Sequence, residues 1–173
     1  MPKYRKMLML TNPALDAIFP LLSSQSRTTI CAWCADCAER DILPIYEKYL
    51  PGDTRGRSLL ALAREHPTKE LKAAVRQAAN SVWLTAKEQN HEPAAQTAAR
   101  AIGQAASAIN TITHAVGIML YGALSIAYDA LGKDAPWAEL EQYAAAECEK
   151  MLAALQAVAV ADEPNPSNIN WGC

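Results

Sequence analysis

Apolar residues recur three and four positions apart along most of the chain, which is the spacing of one face of an α-helix. The first such run, Leu15 to Leu22, follows Asn12 and Pro13, and an Asn–Pro pair is a common helix start. Further segments with the helical period run from near Ser26 to Pro51 with a kink at Pro44, from Asp53 to His66, from about Thr68 to Gln89, and onward from Pro136.

The stretch from Ala101 to Tyr128 contains no Asp, Glu, Lys or Arg. Its length meets the size test for a membrane-spanning helix. Polar residues inside it, among them Gln104 and His114, and the lack of a positive cluster beside it favour a helix buried within a bundle. A break near Asn110 is expected to divide the stretch into two helices.

Composition also indicates helices throughout. Of the 173 residues, 51% are hydrophobic, many of them alanine, with one Phe and seven Gly, and alanine leads the helix propensity scale. We therefore predict an all-α fold, a compact single-domain bundle of about six helices with a buried alanine-rich central helix. The single domain covers 1–173, with a helical body at 12–162 and a C-terminal extension at 163–173, where Pro164 and Pro166 exclude a helix.

Charge and targeting signals narrow the classes of partner. The net charge is −2 with acids and bases interspersed, so no basic stripe is available for nucleic acid. The N-terminal apolar run at 7–10 is too short for a signal peptide. Five cysteines, an odd number, agree with a reducing compartment. We expect a cytoplasmic protein that binds neither nucleic acid nor a membrane.

Three of the cysteines, Cys31, Cys34 and Cys37, stand three positions apart, which raises the question of a metal or redox site. On a helical wheel they share one face with Ile30 and Trp33. Tetrahedral zinc holds its sulfur ligands about 3.8 Å apart, whereas residues six apart on a helix are separated by a rise of about 9 Å. An iron–sulfur cluster would need a loop and a thioredoxin-type site a βαβ unit. We interpret the cysteines as core residues, with a metal or redox role as the alternative.

The sequence offers few residues for catalysis. Its three histidines, His66, His91 and His114, are scattered, and no zinc-protease, P-loop, dinucleotide-binding or nucleophile-elbow motif is present. We therefore name no catalytic residue, no metal ligand and no cofactor. His114 is interpreted as an interior, hydrogen-bonded residue.

Five charged residues lie around one pair of predicted helices: Asp36, Glu39, Asp53, Arg55 and Arg57. Arginine binds carboxylate through two parallel hydrogen bonds. Asp36 and Glu39 are therefore expected to tie their helix to the arginines that open the next one. The alternative is an exposed recognition patch.

The run "WCADCAERDILPIYEKYLPGDTRGRSLLALAR" resembles the start of the immunity type 5-like family, immunity proteins of bacterial polymorphic toxin systems. The positions that carry the resemblance are Trp33, Asp36, Cys37, Ala38, Glu39, Leu43, Pro44, Tyr46, Glu47, Pro51, Asp53, Arg55, Arg57, Ala63 and Arg64. The alanine-rich region from about Ala73 to Leu131, with His114, is similar too, so the resemblance covers about residues 28–131.

The resemblance implies a cytoplasmic bacterial protein that binds and neutralises a cognate toxin domain and has no catalysis of its own. Such a protein needs a complementary surface rather than an active site. The alternative is a small-molecule- or metal-binding helical enzyme, with His114, Asp36 and Cys37 between the cysteine helix and the central helix. A third possibility is a scaffold, a homodimer packed through alanine-rich faces.

Overall fold

The fold is entirely helical. A computed structural model describes residues 4–9 and 11–172, and within those residues the chain forms helices and turns but no β-strand. Its eight α-helices are α1 (Pro13–Ser24), α2 (Arg27–Cys37), α3 (Leu43–Tyr49), α4 (Arg55–Ala63), α5 (Lys69–Glu88), α6 (Pro93–Ser107), α7 (Leu124–Leu131) and α8 (Trp137–Val158). The predicted all-α class is confirmed. The helices outnumber the predicted six or so mainly because a π turn divides the helix expected from Ser26 to Pro51.

That π turn, Ala38–Ile42, joins α2 to α3. The Leu43 N–H donates to the carbonyl of Ala38, five residues back. Pro44 follows directly, and proline has no N–H to donate and crowds the carbonyl of the preceding turn. The wider turn accommodates this proline, and a π turn therefore stands where the kink was expected.

Helix α6 lies at the centre of the bundle, in contact with α2, α3, α4, α5 and α7. Its buried residues include seven alanines, Ala94, Ala95, Ala98, Ala99, Ala101, Ala105 and Ala106. The buried alanines confirm the predicted buried alanine-rich helix. Their small side chains let neighbouring helices approach closely. The helix begins at Pro93 rather than at Ala101, because the charged Arg100 ended the uncharged stretch by which it was recognised.

After α6 the chain passes through a 3₁₀ turn (Ile112–Val116) and a π turn (Ile118–Ala123) before α7. The predicted break near Asn110 is confirmed. Among the described residues, Ile112–Leu131 is the one helical stretch long and apolar enough to cross a membrane, with a mean hydropathy of 1.3, and 61% of that window is buried. In this fold the stretch packs against α6 and α8.

Helix α8 covers α1, α2 and α7 with one face. The buried residues of this face are spaced three or four positions apart, as the helical period from Pro136 onward predicted: Leu140, Ala144, Cys148, Met151 and Leu155. Val158, the last residue of the helix, is 48% exposed.

The C-terminal extension packs against α1. Gln25 donates from Nε2 to the Val160 carbonyl at 3.2 Å, and the Val160 N–H donates to Gln25 Oε1 at 2.7 Å. Further along, the Trp171 indole donates to Ser23 Oγ at 3.0 Å and meets the Phe19 ring edge-on, with centroids 4.7 Å apart. The chain from Val160 to Trp171, which includes most of the extension, is therefore attached to the bundle by side-chain hydrogen bonds and an aromatic contact.

Candidate partner-binding surface

Most of the charged motif residues lie on an antiparallel helical hairpin. Helices α2 and α3 form its first arm, and α4 returns along both of them after the short connection at 50–54. In that connection Gly52 has a φ of +85°, a left-handed conformation that glycine adopts without strain. The chain reversal places the end of α4 beside the C-terminal half of α2.

Carboxylates of the first arm pair with two arginines of the second. Arg57 donates from Nε and Nη2 to the two Glu47 oxygens at 2.9 and 2.8 Å. Arg64, just after α4, donates to Glu39 at 2.9 and 2.6 Å and to Asp36 at 2.7 Å. Forked pairs of this kind fix both distance and orientation. We call these five residues the charge ladder.

The ladder corrects the expected tie between Asp36 or Glu39 and Arg55 or Arg57. Arg57 lies near the connection and therefore faces Glu47, while Glu39 is eight residues, about 12 Å, further along the first arm. The arginine opposite Glu39 is the one seven residues after Arg57. Arg57 and Arg64 are two helical turns apart on the same face. This spacing, together with an antiparallel hairpin, could have identified Arg64 as the partner of Glu39.

Arg55 pairs within the connection instead. Its side chain donates to Asp53 at 3.0, 3.1 and 2.5 Å, and its backbone N–H donates to Asp53 Oδ1 at 3.0 Å. A further bond of 3.4 Å runs from Nη1 to the Ser81 carbonyl on α5. The hydrogen-bonded Arg55 guanidinium lowers the pKa of the Asp53 carboxyl. The Asp53–Arg55 pair therefore stabilises the start of α4, and Arg55 also links α4 to α5.

The charge ladder is open to solvent. The exposed fraction of the side chain is 65% for Arg57, 56% for Asp36 and 38% for both Arg64 and Glu39. A protein partner could reach these groups, and their mutual pairing holds them in place before contact. The paired and exposed side chains agree with both interpretations of the sequence, a structural tie between helices and an exposed recognition patch.

Trp33 and Cys37, from the same motif, are core residues. Trp33 is 2% exposed, and its indole donates to the Met151 carbonyl at 3.0 Å, which ties α2 to α8. The Cys37 side chain is fully buried, with Arg40 Nη2 at 3.9 Å from its sulfur. Both side chains therefore belong to the buried face of the hairpin, which packs on the rest of the bundle.

The four described cysteines are free thiols, and Cys173 lies outside the described residues. Cys34, Cys37 and Cys148 are buried and Cys31 is half-buried, so the predicted core placement is confirmed for Cys34 and Cys37. Burial raises the pKa of Cys37 to about 11 and that of Cys148 to about 12, and a protonated thiol is a poor nucleophile and ligand. In the described ranges no three His, Cys, Asp or Glu side chains are placed to hold a metal ion.

His114 lies in the 3₁₀ turn, on another face of the molecule. It is half-buried, burial lowers its pKa, and its Nδ1 has no hydrogen-bond partner among the described residues. The expectation of a hydrogen-bonded histidine is therefore wrong for this nitrogen. The cleft that His114 lines contains neither Asp36 nor Cys37, so the structure does not assemble the enzyme site that combined these three residues.

A cleft of about 210 Å³ opens beside the charge ladder, where Arg64 forms part of its rim. Its apolar and charged lining, which includes the acidic Glu65, comes from α2, α4, α5, the loop after α4 and the turn after α6. Lining residues include Arg27, Cys31, Ala35, Lys72 and Ile109. Sequence reasoning missed this cleft because no local pattern links residues so far apart in the chain.

The family described as "Imm-5 like putative immunity protein" matches residues 20–162. The chain belongs to this family. The match includes the whole charge ladder, and it confirms the resemblance seen over residues 28–131 and extends it at both ends. Comparison with curated proteins gives no match, and comparison with solved structures gives none either.

Proposed function

We propose that this immunity-family member binds a cognate toxin domain in the bacterial cytoplasm and neutralises it by occupying its surface, with no catalysis of its own. The family match over residues 20–162 carries this proposal. The exposed and prepaired charge ladder supports it, since charged groups at the rim of an interface guide the encounter with a complementary partner.

Preorganisation is what the hairpin would contribute to binding. Association costs free energy for every flexible side chain that must be ordered. Arg64 is already held by two carboxylates and Arg57 by one, while Trp33 fixes the underlying helix to α8. A toxin that docks here would meet side chains whose positions are set before contact.

Co-expression tests the proposal. The toxin domain encoded by the neighbouring gene is expressed in a bacterial host, alone and together with this chain. We expect growth arrest by the toxin alone, restored growth with both proteins, and a complex that co-purifies through a tag on either one. A chain with Ile30→Asp, which buries a charge in the core and should prevent folding, serves as the matched control.

Persistent growth arrest together with no co-purified complex would contradict the proposal. Stoichiometric zinc or iron in the purified chain would favour the enzyme alternative instead. Both measurements use the full chain and are independent of which reaction the toxin catalyses.

A further inference from the structure

The arginines of this chain differ in their pairing with carboxylates. Arg40, Arg55, Arg57 and Arg64 each bind a carboxylate. In the part of the chain that the structure describes, Arg5, Arg27, Arg76 and Arg100 form no ion pair, and the last two lie on the adjacent helices α5 and α6. In a chain of net charge −2, arginines without carboxylate partners mark a surface of different character.

Arg100 is the more unusual of the two. It is the only Asp, Glu, Lys or Arg between Pro93 and Tyr128, it is half-buried, and its Nε is buried without a hydrogen-bond partner among the described residues. Its guanidinium lies over the Tyr121 ring, 5.9 Å from the centroid. A buried donor without an acceptor is costly. The accessible part of the Arg100 side chain lines a cleft, where an anionic group can approach the guanidinium.

Aromatic side chains surround this arginine. A cleft of about 250 Å³ is lined by Arg100, Trp83, Lys87, Gln104 and Tyr121. The Trp83 indole lies so close to Gly103 that an added methyl group there would collide with Nε1. The glycine therefore leaves space on α6 against which the Trp83 indole packs. The indole Nε1 donates to no acceptor within the described residues.

The same tryptophan also lines a second cleft of about 130 Å³. Its other lining residues include Arg76, Asn80, Asn110 and His114. The His114 Nδ1 is another buried polar atom that has no hydrogen-bond partner within the described residues. Together the two clefts contain three cations and no Asp or Glu. We call their joint surface, centred on Trp83, Arg100 and Tyr121, the α5–α6 face.

We propose that the α5–α6 face binds an acidic segment of the toxin, with a carboxylate held by Arg100 and Lys87 against Trp83. This inference rests on the proposed function. Trp, Tyr and Arg are the residues enriched where a few contacts dominate binding, and the guanidinium fork matches a carboxylate with two hydrogen bonds. The uniform positive charge of the face supplies the complementarity for an acidic partner.

A nucleic acid would also meet aromatic rings and cations here. Its affinity, however, depends on neutralising many phosphates, and three cations on a chain of net charge −2 provide few such contacts. A carboxylate segment needs only the cations that the face contains. The observations therefore favour the protein partner.

The test measures toxin binding by isothermal titration calorimetry with the purified toxin domain of the neighbouring gene. Arg100→Gln is expected to weaken binding by about tenfold to a hundredfold, the range for losing a charge-assisted hydrogen bond. Lys87→Gln, at an exposed position, is expected to weaken it several-fold. Lys133→Gln removes the same charge from an exposed position away from this face and should leave binding unchanged.

Circular dichroism and the thermal unfolding midpoint show whether each variant is folded. If Arg100→Gln does not fold, Lys87→Gln still tests the proposal. Absence of binding by the wild-type chain would refute the proposed function. Wild-type binding with equal affinity in both face variants would refute this inference alone. Binding of a single-stranded oligonucleotide that requires Arg100, with toxin affinity unaffected, would also overturn it.

Discussion

Replacing Arg64 by Gln removes the guanidinium that joins the two arms of the hairpin at Asp36 and Glu39. The side chains of this cluster are 38% to 56% exposed, so water screens the attraction, and each exposed pair contributes about 0.2 to 1 kcal/mol. Asp36 and Glu39 then also repel each other across one helical turn, at a cost of a few tenths of a kcal/mol. We expect a total loss of about 1 kcal/mol in the free energy of unfolding.

Urea denaturation followed by circular dichroism measures this loss. It should shrink in 1 M NaCl, where the Debye length is about 3 Å. Arg57→Gln, which removes a more exposed arginine with one carboxylate partner, is the matched control and should cost less. A loss above about 3 kcal/mol, or one insensitive to salt, would show that the ladder does not consist of screened surface pairs.

Three further predictions concern the core and the connection. Trp33→Phe should cost about 2 to 4 kcal/mol in urea denaturation, because it leaves a cavity and removes the indole hydrogen bond to Met151; a loss below 1 kcal/mol would contradict this. In a Cys173→Ser background, a thiol reagent at pH 8 should modify native Cys31 well before Cys34, which is fully buried with its pKa raised by burial; equal rates would contradict the buried face. Since the pKa of Asp53 is lowered in the folded state, its pair with Arg55 stabilises the fold above the pKa of the unfolded carboxyl, and this contribution is lost as pH falls through the folded pKa. Asp53→Asn should therefore flatten that part of the acid denaturation curve. An unchanged curve would refute the link between Asp53 ionisation and stability.

Much of the fold followed from the period of apolar residues. Asn12 and Thr68 accept hydrogen bonds from the first turns of α1 and α5. The Asn12–Pro13 pair predicted the first start, and the apolar period predicted the second. The beginning of α6 was misplaced because a single charge, on Arg100, ended the uncharged stretch. Sequence patterns show where a side chain must be buried, but a half-buried arginine over an aromatic ring satisfies no simple pattern.

The candidate surfaces were less predictable. Asp36 and Glu39 were expected to pair with an arginine across the connection, but which arginine depends on the direction and register of α4 along α2. Sequence analysis did not identify the α5–α6 face because Trp83 and Tyr121, which line one cleft, are far apart in sequence, and because Trp83 is positioned by its packing against Gly103. Such contacts arise from packing between elements, which local periodicity does not encode.

The most direct test of the central claim is a titration of toxin activity. Increasing amounts of this chain are added to a fixed concentration of the purified toxin domain from the neighbouring gene. The account predicts that activity falls linearly to zero and ends at a fixed molar ratio, as expected for neutralisation by tight binding. Toxin activity that stays unchanged at a large molar excess of folded chain would contradict it.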